Sequence, residues 1–162
     1  MNRIDILLAE LCPDGVEFKV LGECVIENLG GGTPSRGRDD FWNGDIRWAS
    51  VGDINASNID VSTTRQTITA TGLSSCSSNL IPAGWVVVAV KIAPGAMRVV
   101  SGEMAINQDL RGLRLAESLD PYFLTYYFKT LSIVGNGTIV QGITNSVLEK
   151  IRVPVPPLEI QH

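Results

Sequence analysis

The sequence predicts a mixed α+β fold with a sheet-rich middle. Three observations carry that expectation. Short β-prone runs separated by turn residues occupy the chain from residue 46 to residue 115. One of them, Trp-Val-Val-Val-Ala-Val at residues 85–90, is apolar at every position, which suits a central strand covered on both faces. Helical periodicity is confined to the two flanks of the chain.

In chain order, Ile4, Leu7, Leu8 and Leu11 recur at helical spacing and predict a short amphipathic helix over Arg3–Leu11. Cys12-Pro13-Asp14-Gly15 stops that helix and turns the chain. Residues 16–20 alternate apolar and polar, as a strand with one wet face does. Residues 28–41 are rich in Gly, Thr, Pro, Ser and Arg and predict a loop. The β-prone runs are 46–51, 66–69, 85–92, Met97–Val100 and Leu110–Leu115, with Ala93-Pro94-Gly95-Ala96 as a tight turn. Asp120 as N-cap and Pro121 at the first helical position open a helix whose aromatic and leucine residues run from 122 to 131. Residues 133–142 predict a Gly-rich loop. Ser146-Val147-Leu148-Glu149 has capping-box spacing and opens a short helix. Pro154, Pro156 and Pro157 then force an extended exit. There is no internal repeat and no low-complexity segment.

Composition narrows the function. The 162 residues suffice for one domain with a real core, and 44% hydrophobic against 19% charged residues is a globular balance. No apolar run reaches the ~18–20 residues of a membrane span, and the N-terminus lacks the pattern of a secretory signal. Cys12, Cys24 and Cys76 are odd in number and lack Cys-x-x-Cys spacing, which points to reduced thiols and a cytoplasmic location. The one histidine, His162, ends the chain and reads as a tag remnant. A Ser-His or Cys-His nucleophile pair and a Cys/His zinc site therefore have no internal histidine to use, so no catalytic and no metal-binding residue is assigned.

Charge argues against a simple phosphate-binding protein. The net charge is −4, whereas phosphate binding calls for Lys and Arg. The acid is unevenly spread. Residues 1–28 hold two basic and six acidic residues, residues 29–101 six basic and five acidic, and residues 102–162 five basic and six acidic. The middle is thus free to present a basic face on an acidic protein.

Few motifs bear on chemistry. Pro13-Asp14 with Glu17-Phe18-Lys19 spells a nuclease motif, but its acids are three residues apart across a turn, and metal chemistry needs carboxylates converging from paired strands. Gly30-Gly31-Gly32-Thr33-Pro34-Ser35 is no nucleotide P-loop, since no Gly-Lys-Ser/Thr follows. With Arg36 and Arg38 it reads either as a flexible DNA-backbone contact or as an ordinary surface loop. The loop at residues 133–142 reads either as a base-reading loop, through Asn136, Thr138 and Gln141, or as a helix connection with Gly C-caps. Lys91 and Arg98 flank the tight turn, as phosphate contacts or as solvated rim charges. Trp42, Trp48 and Trp85 read as core or semi-core, without the alternating aromatic strand of a base-stacking platform. Val155-Pro156-Pro157-Leu158 lacks the polar residue and the aromatic of an amino-methyltransferase tetrapeptide.

An ordered set of segments resembles the target-recognition domain of the specificity subunits of type I restriction-modification systems. Leu7-Leu8-Ala9-Glu10-Leu11-Cys12-Pro13-Asp14-Gly15-Val16-Glu17-Phe18-Lys19 and Leu21-Gly22-Glu23 look like the family's lead-in. Gly31-Gly32-Thr33-Pro34-Ser35 follows, then Phe41-Trp42-Asn43-Gly44-Asp45-Ile46-Arg47-Trp48-Ala49-Ser50-Val51-Gly52-Asp53-Ile54. Ile68-Thr69 with Gly72-Leu73, Leu80-Ile81-Pro82-Ala83-Gly84, Ala105-Ile106-Asn107-Gln108-Asp109 and Gly112-Leu113 come next, and the end, from Gly137-Thr138 through Ile151 to Gln161, resembles the exit into the family's long spacer helix. The match covers nearly the whole chain. It departs after the buried strand, where the family often has a Gly-rich turn ending Gly-Lys and this chain has Arg98.

The resemblance implies a sheet-rich, strongly twisted β core with a few short helices. It implies a non-catalytic reader of double-stranded DNA that recognises one half of a bipartite site. It places residues 1–161 as a single recognition domain, the N-terminal one of a longer subunit, ending before the spacer helix. The partners implied are methylating and restriction subunits, which would use S-adenosylmethionine, ATP and Mg; this chain would bind no cofactor. Thr33, Ser35, Arg36, Arg38, Lys91 and Arg98 are the expected phosphate contacts. Arg65, Gln66, Asn136, Thr138 and Gln141 are the expected base contacts. The rival reading is a small β-rich protein-interaction module, which suits the acidic charge.

Overall fold

The computed structural model describes Met1–His162. The chain runs α1 (Arg3–Leu11), β1 (Phe18–Val20), β2 (Val25–Gly30), β3 (Trp42–Ala49), α2 (Val51–Ala56), β4 (Asp60–Val61), β5 (Gln66–Ile68), α3 (Ala70–Ser74), β6 (Leu80–Ile81), β7 (Val86–Ala89), β8 (Met97–Val100), β9 (Met104–Ile106), β10 (Leu110–Leu115), α4 (Pro121–Lys129), α5 (Asn145–Glu149), β11 (Arg152–Pro154) and α6 (Leu158–Gln161). The α+β, sheet-rich expectation holds.

The strands form three sheets. Five lie in the order β2-β10-β7-β8-β4, four in the order β5-β3-β9-β6, and β1 pairs with β11. The apolar run at residues 85–90 supplies β7, at the centre of the five-stranded sheet. All four of its residues are buried, and strand geometry sends alternate side chains to opposite faces. Val86, Val88 and Val90 join one core with Leu21, Leu113, Leu124, Phe128 and Leu148. Val87 and Ala89 join a second core with Ile54, Ile81, Met104, Ile106 and Leu110. This sheet is therefore the shared wall of two cores, one closed by the C-terminal helices and the other by the four-stranded sheet. Each fully buried valine contributes roughly 1.5–3 kcal/mol relative to exposure.

Several boundaries differ from expectation for local reasons. Asn28, Leu29 and Gly30 are not loop: they finish β2, paired with Leu113, Gly112 and Arg111. The strand expected at 46–51 begins at Trp42 and ends at Ala49, because Ser50 and Asp53 form a reciprocal cap that launches α2. The strand expected at 85–92 stops at Ala89, where the turn into β8 begins. Thr144, not Ser146, caps α5 by accepting from the Val147 amide. The helix Arg3–Leu11 forms as expected, with Asn2 and Asp5 as its capping box.

The antiparallel registers fix which loops share an edge. Gly30, the last residue of β2, pairs with Arg111 near the start of β10. Leu110, the first residue of β10, pairs with Ala89, the last of β7. Met97, the first of β8, pairs with Val88. The segments at residues 31–38, 90–96 and 107–109 therefore leave the five-stranded sheet at one end.

Gly31 explains how the first of these segments crosses to the next. A Cβ there would collide with the backbone carbonyl oxygens of Asn107 and Ile106, whereas at Gly37 the nearest atom, Ser35 Oγ, is 4.0 Å away. Gly31→Ala is expected to lower stability by at least about 1–3 kcal/mol, the usual penalty of overpacking against groups that cannot yield. Gly37→Ala should leave it nearly unchanged. Urea midpoints of the two variants check this.

Candidate nucleic-acid interface

The loop at residues 31–38 is not the flexible segment that its composition suggests. The Gly32 amide donates to the Ile106 carbonyl at 3.1 Å. Trp48 Nε1 donates to the Gly32 carbonyl and Trp42 Nε1 to the Ser35 carbonyl, each at 3.0 Å. The two indoles meet edge to face, centroids 5.2 Å apart and planes at 88°. Thr33 donates its hydroxyl proton to Gln108 Oε1. Both tryptophans lie on β3, so the four-stranded sheet fastens a loop that the five-stranded sheet launches. Trp48 is buried, as expected of a core residue, while Trp42 is half-buried and faces Arg36.

The two arginines of this loop differ. The Arg36 guanidinium lies 4.2 Å from the Trp42 ring centroid and 5.2 Å from that of Trp48, and its Nη1 donates to Gln66 Oε1 at 3.3 Å. Arg38 donates through Nε and Nη2 to both carboxylate oxygens of Asp40, at 2.9 and 2.7 Å. That hydrogen bonding holds the Asp40 carboxyl below its ordinary pKa. Gln66 is thus brought to the loop. Its neighbour Arg65 is tied instead to the start of α2, with Nη2 3.2 Å from Ser50 Oγ and Nε 3.4 Å from Asp53 Oδ1.

A second group adjoins the first. Lys91 is exposed and forms an isolated bridge with Gly142. The Ile92 amide donates to the Gln141 carbonyl, and the Ile143 amide to the Val90 carbonyl, each at 2.7 Å. The loop at residues 133–142 is thereby docked on the turn between β7 and β8, and Asn136, Thr138 and Gln141 are exposed on it. Its glycines are not C-caps of the preceding helix, since Thr130 caps α4 in the right-handed region. Ile92 holds a φ of 70°, a strained conformation for a β-branched residue. The segment at residues 107–109 joins the two groups: Gln108 meets Thr33, and the Asp109 carbonyl accepts from the Val90 amide at 2.9 Å.

Arg98 is placed differently from the sequence expectation. It is only 9% exposed. Its Nη1 donates to the Met97 carbonyl at 2.6 Å and its Nε to the Ser57 carbonyl at 3.1 Å. Desolvation lowers its pKa from the ordinary arginine value. The cause is its place in β8, whose four residues are all buried. Its guanidinium braces the 57–60 connection rather than the sheet end.

Sequence reasoning missed Gln108 and a polar network beside it. Arg111 Nε donates to Asn28 Oδ1 at 2.7 Å, and Asn28 Nδ2 donates to Asn145 Oδ1 at 2.7 Å and to Glu149 Oε1 at 3.1 Å. No motif announces this network, because its members lie as far as 121 residues apart.

Residues 13–162 match the model of the type I restriction modification DNA specificity domain, and the chain belongs to that family. It is 30% identical over 163 residues to the Escherichia coli EcoR124I/EcoR124II type I specificity subunit, covering 91% of this chain and 38% of that protein. It is 26% identical over 156 residues to the MjaIX type I specificity subunit of Methanocaldococcus jannaschii, covering 92% of this chain and 35% of that one. The chain thus spans well under half the length of these curated relatives. A chain from a structure of type I restriction-modification complex assembly and conformational transition shares the fold, with a TM-score of 0.71 at 24% identity over 98% of this chain and 40% of that one.

Two outcomes follow from the geometry. Trp48→Phe, which strands the buried Gly32 carbonyl without a donor, should cost about 1–3 kcal/mol in chemical unfolding, and Trp42→Phe should cost less because its bond is exposed. Burial also pushes the Cys24 thiol pKa up, which lowers its thiolate fraction at any given pH. In the native protein at pH 8, iodoacetamide should label Cys12 and Cys76 well before Cys24, as peptide mass spectrometry would show.

Proposed function

We propose that this chain binds double-stranded DNA and reads one half of a bipartite site on behalf of a type I restriction-modification complex. The observation that carries the reading is the convergence of three segments, 31–38, 90–96 with the docked 133–142 loop, and 107–109, on one end of one sheet, in a chain that belongs to the specificity-domain family. Loops offered from a rigid edge suit the major groove, where all four base pairs differ.

In this reading Arg36, Arg38 and Lys91 bring positive charge to the duplex, Ser35 offers its hydroxyl to the backbone, and Thr33, whose hydroxyl donates to Gln108, fixes the loop. Asn136, Thr138 and Gln141 are the polar groups available to base edges, and Gln66 acts through the Arg36 guanidinium that it holds. Arg98 acts within the fold, since its buried guanidinium already engages protein oxygens, while Arg65 remains exposed and available to a base edge beside the start of α2. The chain itself carries out no catalysis and binds no cofactor. Methylating and restriction subunits supply the chemistry with S-adenosylmethionine, ATP and Mg, in the cytoplasm. Residues 1–161 serve as one recognition domain of a longer subunit, with α6 leading toward a spacer helix.

The test is a graft. Residues 1–161 replace the first recognition domain of a type I specificity subunit of known site, co-expressed with its methylating partner, and methylation is mapped across the genome. The expected result is a motif with one half changed and the other kept. An assembled chimera that methylates the old site, or none, while control grafts work, would contradict the reading. The few cations at this end contribute only about two to three units of log K per unit of log salt to the salt dependence of the grafted subunit. Lys91→Ala should reduce that slope by about one, as fluorescence anisotropy of the chimera on labelled duplex would report.

A further inference from the structure

Among the arginines near this end of the sheet, Arg36 alone has both an exposed guanidinium and no anionic or backbone partner. Arg38 has an anionic partner in Asp40. Arg98 donates to the Ser57 and Met97 carbonyls, and Arg111 to the side chain and carbonyl of Asn28. Arg36 is nevertheless held in place. The Trp42 ring lies 4.2 Å beneath its guanidinium carbon, and its one side-chain hydrogen bond goes to a neutral amide oxygen, Gln66 Oε1. The full positive charge and most of the donors of the planar fork remain available.

We propose that Arg36 reads a guanine edge of the half-site, with Trp42 and Gln66 as its positioning residues; the inference rests on the DNA-reading function given above. A fixed planar fork suits a phosphate as well as a base edge, so the neighbouring groups decide between them. The O6/N7 edge of guanine demands two parallel donors in one plane, which is what a stacked guanidinium offers. The cleft that holds Arg36, Trp42, Asn43 and Gln66 also holds Asp39. A carboxylate repels a phosphate, whereas it can accept a hydrogen bond from the N4 amino group of the cytosine paired with that guanine. The cation and the acid therefore complement the two halves of one G·C pair. Trp42 itself is held from behind, through its Nε1 bond to the Ser35 carbonyl and its edge contact with Trp48.

The grafted subunit with its methylating partner provides the experiment, read as base preference at each position of the methylated motif. The unaltered graft should show a new half-site that contains a G·C pair. Arg36→Ala should reduce the preference for guanine at one position from about tenfold or more to under about threefold, leaving the other positions intact. Arg38→Ala should lower methylation evenly with the motif unchanged. Gln66→Ala, which frees the guanidinium without removing it, should broaden the same position by a smaller factor and serves if the Arg36 variant does not assemble. An even loss of methylation with an unchanged motif in the Arg36 and Gln66 variants would make Arg36 a phosphate contact and overturn the assignment while leaving DNA reading intact. A new half-site without any G·C pair would also overturn it. An unaltered graft that creates no new half-site would overturn both readings together.

Discussion

The passage of residues 31 and 32 across the backbone at Ile106 and Asn107 is the constraint on which the rest depends. It is where the two larger sheets are joined at the end that carries the loops. The Gly32 amide reaches Ile106, the Asn107 amide reaches Ala49 at 3.0 Å, and Trp48 reaches back to Gly32. Only glycine fits between these carbonyls at position 31. A run of glycines that looks like an anion cradle is thus a packing device first. It gives up chain freedom so that Thr33, Ser35, Arg36 and Arg38 project from a fixed base. Preorganisation of this kind reduces the ordering cost of binding.

Much of the fold was legible because its signals were local. Residues 85–90 declared a strand buried on both faces, and the alternation of Val86, Val88 and Val90 against Val87 and Ala89 between two cores is the physical content of that reading. Arg3–Leu11 and the Asp120-Pro121 start of α4 were readable from periodicity and capping. The two- and three-residue strands β4, β6 and β9 were not, since they owe their conformation to partners distant in sequence, such as Val99 and Val100 for β4. The candidate site was legible in its parts and not in its arrangement. Thr33 to Arg38 and Lys91 stood out by composition, but nothing in the sequence tells that Gln66 meets Arg36 or that the loop ending at Gly142 docks on Lys91. Arg98 misled for a related reason: the motif supplies a cation, while the burial of all of β8 decides where it goes.

An acidic chain in a DNA-specificity family needs a physical account. Near its loops the protein sets Asp39, Asp40 and Asp109 beside Arg36, Arg38 and Lys91, so the edge is mixed in sign rather than a basic patch. Such an edge contributes little non-specific affinity, because phosphate neutralisation and counterion release are what hold proteins on arbitrary DNA. In the proposed function it contributes discrimination instead, through polar groups of fixed position. For the proposed half-site reader, weak non-specific binding suits a role within a larger assembly, where joining two recognition modules raises the overall affinity without new contacts in either.

In the proposed function, DNA meets this chain at one end of the five-stranded sheet. Backbone amide and indole resonances recorded while a duplex of the grafted half-site is titrated into isotopically labelled protein test it most directly, since chemical-shift mapping reports weak binding as well as tight. Binding at that end concentrates the shifts in residues 31–38, 90–96, 107–109 and 133–142 and on the Trp42 indole, with α1 and the β1–β11 pair unmoved. Shifts centred on α1 or on that pair, or none at millimolar duplex, would contradict it.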